Sequence, residues 1–427
     1  MKTPQLIPCL VAAMLSASSA FGFAEFARGG LVLSTTARAS YDSRMFGGLG
    51  PADDYIFTLD PRLIYRREAG LLKLEASAGV RVNRYVEYDE LNSEDLVTSF
   101  KLRLPPEGPS LASGSFESTY DEHSEVNYDV NARIREKTFY NRLSADIPMG
   151  LKTALLLGGS YRDDQRNTFS DQRTWDGSAG FRYQNFLGGS AFDVRYRRLD
   201  VESSGDNELG IPLNQKSDLY SATFSRPLYR DVRGSITYGY RILNRSEAEV
   251  LTGLDHRSEG STFALGLNGP FLPQSIFPKM DSSVSLGYQK NETPGINDTS
   301  SSRFIGSLNL GWNPRERTRL FFDARRATEL SINDLTVETT GFNVGINQVI
   351  GDFTNASFSV GYENREYQTI DLLGREDDVY LLQTGARYRI TSAWSAAANY
   401  RLRDSQSTEE VADYARHLVS VEATYTF

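Results

Sequence analysis

The sequence has almost no cysteine. Cys9 is the only one among 427 residues, and it lies in the apolar N-terminal segment. If that segment is removed on secretion, the mature chain can form no disulfide bond and can offer no thiolate to a metal. We therefore expect its rigidity to come from the fold alone.

Long apolar runs are also missing. After the first two dozen residues, no unbroken apolar stretch reaches the ~18 residues that a membrane-spanning helix needs. The N-terminus combines a basic Lys2, an apolar core at Leu6–Ala17 and small residues at Ser16–Ala20, which is the pattern of a secretory signal peptide. We expect residues 1–24 to be that signal peptide and residues 25–427 to form the mature protein.

Histidine is scarce as well, with three in the chain. His123 and His256 each have a carboxylate and a hydroxyl residue as sequence neighbours, which Asp-His hydrolases require. Both lie in acidic segments where such neighbours arise by composition, so we expect no catalytic residue, no metal and no cofactor. The formal net charge of −9 and the even spread of the arginines argue against nucleic-acid binding.

What the sequence does contain is alternation. From Leu31 onward, runs of about ten residues alternate apolar and polar side chains, and breaks separate them at a period of roughly 20 residues. In one run Val232, Ile236 and Tyr240 fall on one face, while Arg233 and Arg241 fall on the other. Successive side chains of a β-strand point to opposite faces, so these runs predict membrane-spanning strands with one apolar and one polar face.

The breaks are of two kinds that alternate. Short ones contain Gly or Pro, as in Asn185–Gly189 and Ile350–Asp352, and long ones are polar and acidic, as in Arg84–Asp95 and Asp404–Tyr414. Short turns at one end and long loops at the other are typical of outer-membrane barrels. We predict an all-β protein: a single transmembrane antiparallel up-and-down β-barrel of about 20 strands (16–22), with short periplasmic turns and long extracellular loops.

Three stretches carry more specific expectations. Pro61 lies inside the run Tyr55–Tyr65 and predicts a bulge or a strand end, because a closed barrel has no edge that tolerates its missing N–H. Gly269–Lys279, with three prolines, predicts a longer turn. Asp200–Ser217 is the longest connection in the pattern, and we expect it to fold inward and narrow the channel.

The last run ends at the C-terminus with an apolar face and two aromatic residues. A terminal Phe that follows apolar residues at every second position resembles the signal by which bacterial outer-membrane barrels are recognised for assembly. The residues expected to form this assembly signal are Val419, Val421, Ala423, Tyr425 and Phe427. The expected partners are therefore the barrel assembly machinery, outer-membrane lipid and lipopolysaccharide.

The beginning of the mature sequence resembles a known family. Ser40–Phe46 (SYDSRMF) and Asp53–Arg67 (DDYIFTLDPRLIYRR) are similar to the opening of the family called putative β-barrel porin 2. Members of that family are outer-membrane proteins of Gram-negative bacteria, and several are encoded with exopolysaccharide production and export systems. The resemblance implies an outer-membrane location and an exopolysaccharide export system as a partner. It identifies no functional residues.

Arginine dominates the polar face of the runs, and only eight of the 46 basic residues are Lys. The residues we expect to line the pore are Arg81, Arg103, Arg195, Arg197, Arg241, Arg319, Arg325, Arg387, Arg389, Arg401 and Arg403. The acids that the alternation places on the same face are Glu75, Asp193, Asp323, Glu363 and Glu422. An excess of fixed positive charge in a confined lumen enriches anions. The alternative is that the arginines brace the wall by pairing with carboxylates and carbonyls.

Three functions follow from these patterns. The wall begins within about ten residues of the expected cleavage site, so we expect no plug domain, and a barrel of about 16 strands or more leaves an aqueous channel. The first expectation is a passive or polysaccharide-export-associated porin with a mild preference for anions. One alternative is a structural or adhesive barrel that acts through its acidic extracellular loops. The other is a hydrolase at the rim that uses His123 or His256.

Overall fold

The alternating runs form the strands of one continuous sheet in the computed structural model. It describes residues 24–26, 28–68, 70–104, 112–127, 132–167, 169–204, 214–245, 257–293, 299–330, 336–368 and 374–427. Residues 1–23, which make up nearly all of the expected signal peptide, lie outside these ranges. Nowhere in the ranges does a helix have the length and apolar character needed to cross a membrane.

Within this part of the chain, a three-residue strand β1 (Ala24–Phe26) precedes twenty long strands. The first ten are β2 (Gly29–Asp42), β3 (Asp54–Arg67), β4 (Lys73–Tyr85), β5 (Ser93–Leu104), β6 (Ser113–Asn127), β7 (Ala132–Pro148), β8 (Thr153–Arg166), β9 (Asp171–Phe186), β10 (Ser190–Ser204) and β11 (Gln215–Tyr229). The second ten are β12 (Val232–Arg245), β13 (Arg257–Asn268), β14 (Met280–Thr293), β15 (Thr299–Arg315), β16 (Thr318–Leu330), β17 (Thr336–Ile350), β18 (Thr354–Gln368), β19 (Glu376–Arg389), β20 (Trp394–Ser407) and β21 (Tyr414–Thr426).

Each long strand pairs antiparallel with the next, and the last pairs with the first. The ladder between β2 and β21 runs from Ser34 opposite Thr426 to Asp42 opposite Leu418. The backbone of Phe427 extends it, donating to the Leu33 carbonyl at 2.8 Å and accepting from the Leu33 N–H at 3.1 Å. The sheet is therefore a closed up-and-down barrel of 20 strands, as the alternation predicted.

The two faces of the wall differ as a barrel in lipid requires. Large apolar side chains of one parity, such as Leu96, Phe181, Ile236 and Phe342, are exposed on the convex face. The buried apolar residues are few and include Met45 at the loop end of the barrel. A soluble β-sandwich would bury its apolar residues. Here the apolar residues of each strand face outward, as in a barrel that is surrounded by lipid.

Connections alternate in length as predicted. At the end where the C-terminus lies, the chain reverses within two residues between β11 and β12, and again between β15 and β16. At the opposite end the connections are generally longer, and three of them contain short 3₁₀ turns at Gly47–Leu49, Asp89–Leu91 and Glu410–Ala412. We call these the turn end and the loop end of the barrel.

The prediction for Pro61 was wrong. It lies inside β3 with no shift of register, and it stays opposite Thr35 of β2. Only the ladder to β4 lapses, between the pairs Leu59–Val82 and Arg62–Gly79. The Asp60 carboxylate lies 2.6 Å from the guanidinium of Arg62 on the same strand and 3.9 Å from that of Arg81 on β4. One ion pair, between Asp60 and Arg81, therefore crosses the place where the backbone pairing lapses.

Two connections were predicted with different success. The turn at Gly269–Lys279 is present, and it packs on β15, where the Trp312 Nε1–H donates to the Pro278 carbonyl at 3.1 Å. The prediction that Asp200–Ser217 is the longest connection was wrong. Strands β10 and β11 extend into this stretch, so the connection between them consists of residues 205–214 only. Residues 205–213 lie outside the described ranges, so the inward fold of this loop stays a prediction.

Gly345 supplies a test of the packing in the wall. A Cβ at this position in β17 would stand 2.6 Å from the carbonyl oxygen of Phe358 and against the ring of Phe321. We expect Gly345→Val to lower the free energy of unfolding by about 1–3 kcal/mol, because the neighbouring backbone cannot give way. Urea unfolding of the refolded barrel in detergent measures it.

The matched control is Gly177→Val in β9, where an added Cβ meets no atom within 4 Å. Equal unfolding midpoints for the two variants would contradict the prediction.

Candidate functional site in the lumen

One ion-pair network shows which face of the sheet is concave. Glu422 of β21 accepts from Arg38 of β2 at 2.8 Å and from Arg387 of β19 at 3.1 Å. Arg387 reaches it over Ala397 of the intervening strand β20, which stands opposite both residues. Long side chains from strands two apart converge only on the inner side of a curved sheet.

Directly opposed residues of neighbouring strands point to the same side, so the register traces this face around the whole barrel. It carries every arginine that the sequence predicted for the pore: Arg81, Arg103, Arg195, Arg197, Arg241, Arg319, Arg325, Arg387, Arg389, Arg401 and Arg403. Arg389 lies at the turn end, where its guanidinium stacks over the Phe353 ring at 5.3 Å.

The same face carries more charges than the alternation revealed. The additional acids include Asp42, Asp60, Asp95, Glu117, Asp121, Asp146 and Asp176. The additional arginines include Arg38, Arg62, Arg142, Arg162 and Arg416. Several of them lie well inside strands, as Arg38, Arg62 and Arg142 do in β2, β3 and β7. Others, such as Asp95, lie at strand ends that the sequence had assigned to breaks.

Part of this charge braces the wall. Arg197 holds Asp176 through two parallel bonds, Nε to Oδ1 at 2.9 Å and Nη2 to Oδ2 at 2.7 Å. Arg182 donates to Asp193 at 2.8 Å. Such bidentate and charge-assisted pairs join neighbouring strands, as the bracing alternative requires.

Other cations on the concave face have no such partner. In the described ranges, no carboxylate oxygen lies within 4.0 Å of Lys73, Arg103, Arg142, Arg195, Arg319 or Arg401. Bracing therefore accounts for some of the basic residues, and the others have no carboxylate partner in the described part of the chain.

The hairpin formed by β6 and β7 enters the lumen at the loop end. β6 pairs with β5 only as far as Asp121, and beyond that point it pairs with β7 alone. Arg133, near the tip, donates from Nε to the carbonyl of Met45 at 2.7 Å, and its Nη2 lies 3.5 Å from Asp42 of β2. Val126 and Ile134 of the hairpin are only 3% and 4% exposed. The hairpin has thus left the cylinder and packs against the inner side of β2 and the connection that follows it.

A cavity of about 260 Å³ remains between this hairpin and the wall. It is lined by six arginines: Arg38, Arg81, Arg133, Arg401, Arg403 and Arg416. Two acids also line it, Asp42 and Glu125, and Asp42 is held by Arg416 at 2.6 Å as well as by Arg133 at 3.5 Å. In the described part of the chain, this hairpin is the element that narrows the lumen, a role the sequence had assigned to Asp200–Ser217.

A larger cavity of about 860 Å³ lies nearer the turn end, on the inner side of β4 to β10. Its basic lining residues are Lys73, Arg103, Arg142, Arg195 and Arg197. Four of these five belong to the set without a carboxylate partner among the described residues.

The histidines lie in ordinary polar surroundings. His123 Nδ1 is 3.4 Å from Asp121, and its Nε2 is 3.7 Å from Glu136. His417 Nδ1 is 2.9 Å from the Tyr400 hydroxyl, and His256 lies outside the described residues. Within the ranges that the structure describes, no three His, Cys, Asp or Glu side chains are placed to hold a metal. The expectation of no catalytic residue stays a prediction.

The residues expected to form the assembly signal lie on the convex face. Val419, Val421 and Ala423 of β21 stand opposite Tyr41, Ala39 and Ala37 of β2. The Tyr425 ring lies 4.8 Å from the Trp394 ring and 6.3 Å from the Phe427 ring. Together they form an aromatic cluster at the turn end.

The hairpin makes a testable prediction about pore size. Arg133→Glu places a carboxylate against Asp42, so the hairpin should leave the inner wall and the single-channel conductance in a planar bilayer should rise. Arg173→Glu is the control, because Arg173 pairs with Asp163 at the loop end of β8 and β9, away from the hairpin tip. Equal conductance of wild type and Arg133→Glu would show that the hairpin does not limit the current.

Comparison with solved structures identifies the type of barrel. A mutant of the ferric enterobactin receptor PfeA from Pseudomonas aeruginosa has a TM-score of 0.55 at 7% identity, with 93% of this chain and 80% of that chain covered. The ferric citrate transporter FecA in its unliganded form has a TM-score of 0.51 at 11% identity, with 93% and 78% covered. The copper transporter OprC has a TM-score of 0.51 at 9% identity, with 95% and 81% covered. At these identities the likeness shows the fold alone, that of an outer-membrane-type barrel.

No curated protein matches the sequence. The sequence model of the family putative β-barrel porin 2 matches residues 276–427, which contain β14 to β21. This segment does not overlap the opening motifs at Ser40–Phe46 and Asp53–Arg67. Two separate parts of the chain therefore point to the same porin family: the first strands resemble its opening, and the last eight strands match its sequence model.

Proposed function

We propose that the protein is a porin of a Gram-negative outer membrane, with its turn end in the periplasm and its loop end outside the cell, and that it prefers anionic solutes. The porin family match and the outer-membrane-type barrel support the first part. The second part depends on one observation, the set of cations on the concave face without a carboxylate partner in the described residues.

Charge and geometry both favour anions. The lumen is confined by a low-dielectric wall, which concentrates the field of fixed charges and raises the local concentration of counter-ions. Arginine is also the side chain that binds carboxylate and phosphate groups through two parallel hydrogen bonds. An acidic polysaccharide is a solute that such a wall suits, and the family resemblance makes an exopolysaccharide export system the proposed partner.

Selectivity is tested by the reversal potential of the reconstituted protein across a KCl gradient. Wild type should prefer chloride, and Arg387→Glu with Arg401→Glu should lower that preference. A change of about one kT in the lumenal potential alters local anion concentration about threefold. The preference should also weaken as salt rises, since the Debye length is ~10 Å at 0.1 M.

The control pair is Arg84→Glu with Arg198→Glu. These residues carry the same charge but lie on the convex parity of β4 and β10, opposite Phe57 and Asp218. Cation selectivity in the wild type would refute the proposal. A barrel that conducts no current would favour the structural or adhesive alternative.

Assembly in the outer membrane is tested at Phe427. Phe427→Ser keeps both backbone bonds to Leu33 and removes the ring, so it separates a recognition role from barrel closure. We expect the folded, heat-modifiable fraction in cells to fall severalfold for Phe427→Ser, and to stay near wild type for Phe427→Tyr. Refolding in detergent should be equal for both. Normal assembly of Phe427→Ser would remove the proposed signal.

A further inference from the structure

The larger lumenal cavity has an ordered floor. One row of directly opposed residues crosses seven neighbouring strands, from β4 to β10, on the concave face. In strand order the row is Lys73, Arg103, Ser115, Ser144, Gly158, Ser178 and Arg197. Its middle four members are small and its ends are basic, so the row forms a shallow groove between two cationic borders.

Hydroxyl groups cover the middle of the groove. Ser115 Oγ and Ser144 Oγ are 2.7 Å apart, and Ser178 Oγ lies 3.5 Å from the carbonyl oxygen of Gly158. A seryl hydroxyl both donates and accepts, so this surface can exchange these bonds for bonds to the hydroxyls of a ligand. Larger side chains at these positions would fill the cavity.

Cations lie at both borders of this seryl floor, and one more lies between the borders on the side of the loop end. Arg195, one row toward the turn end, joins Arg197 at the β10 border, where it stands opposite Gly180. Arg142, one row toward the loop end, lies opposite Ser160. Five strand steps of ~4.8 Å separate Arg103 from Arg197, about 24 Å along the wall, and less between the tips of their inward-pointing side chains.

Most cations of the groove have no carboxylate partner among the residues that the structure describes. Asp176 is occupied by Arg197 through two bonds, and Asp146 lies 3.5 Å from Arg182. As far as the structure describes the chain, Lys73, Arg103, Arg142 and Arg195 have no carboxylate within 4.0 Å. Four like charges around one cavity repel one another, and a bound anion with several acid groups relieves that repulsion.

We propose that this groove is a binding site for an acidic oligosaccharide, with carboxylates held by Arg103 and Lys73 at one border and by Arg195 at the other. Its sugar hydroxyls bind the seryl floor, and Arg142 contacts the middle of the chain. A small carboxylate is too short to reach both borders, so length and hydroxylation set the specificity. This inference rests on the proposed function, because the ligand reaches the groove through the pore. Binding in the groove does not itself require that the barrel conducts ions.

The test is calorimetric titration of the refolded protein in detergent at ~0.1 M salt. The probe is tetragalacturonate, with neutral maltotetraose and citrate as comparison ligands. Tetragalacturonate should bind, maltotetraose should not, and citrate should bind at least about tenfold more weakly, since it cannot engage both borders. Equal affinity for citrate and tetragalacturonate would overturn the two-border arrangement.

Two variants locate the site. Arg103→Gln with Arg195→Gln should weaken tetragalacturonate binding at least about tenfold, because each removes charge-assisted bonds. Arg319→Gln with Arg401→Gln is the matched control: these two also lack a carboxylate partner in the described ranges, but they lie outside this cavity. Equal losses in the two pairs would mean diffuse attraction by the lumen and would refute the site.

Ser144→Trp provides a second approach that leaves the charge unchanged. It fills the floor of the groove, so it should abolish binding of tetragalacturonate while the reversal potential in KCl stays anion-selective. Undiminished binding by Ser144→Trp would overturn the proposal even if the double variant failed to fold. Retained binding in a wild-type barrel that shows no anion selectivity would instead refute the proposed function and leave the site standing.

Discussion

Closure of the backbone hydrogen-bond ladder is the constraint on which the rest of this structure depends. In lipid, an unpaired N–H or C=O costs several kcal/mol, so a sheet can cross a membrane only without edges. The ladder between β2 and β21, extended by Leu33 and Phe427, removes the last edge. Even Pro61 of β3 is accepted within the closed sheet, because it stays opposite Thr35 of β2 and only the pairing toward β4 lapses, where Asp60 pairs with Arg81.

Closure also determines where charge can be placed. Once the apolar parity faces outward, the other parity of each strand points into the lumen, and it carries most of the strand arginines. Pairs such as Arg197 with Asp176 join neighbouring strands. The remaining cations are left over because most of the excess acid of this chain, whose net charge is −9, lies in the connections. A negatively charged protein can therefore have a positively charged interior.

The lumen differs between its two ends for a related reason. At the loop end the β6–β7 hairpin gives up pairing with β5 and finds new partners inside, where Arg133 binds Met45 and Asp42. At the turn end the ladders continue to the end of the strands, and small residues such as Gly158 leave the wall uncovered. The lumen therefore has a narrow arginine-lined passage at its loop end and a wider basic groove nearer its turn end.

The sequence by itself indicated about 20 strands, the alternation of turns and loops, and the face on which Arg103, Arg195 and Arg387 lie. These follow from a period of two residues along each strand, which is a local property, and a one-residue error would have reversed a whole strand. It also indicated the porin family from the first strands, in agreement with the match of the last eight.

Only the tertiary structure decided which charges meet. Arg387 finds Glu422 two strands away, and the row from Lys73 to Arg197 gathers one residue from each of seven strands. Such encounters depend on the register between strands, which is set by connection lengths and by closure of the whole barrel, and no local pattern encodes it. The inward turn of the β6–β7 hairpin was hidden for the same reason, since the groups that hold Arg133 are about 90 residues earlier in the chain.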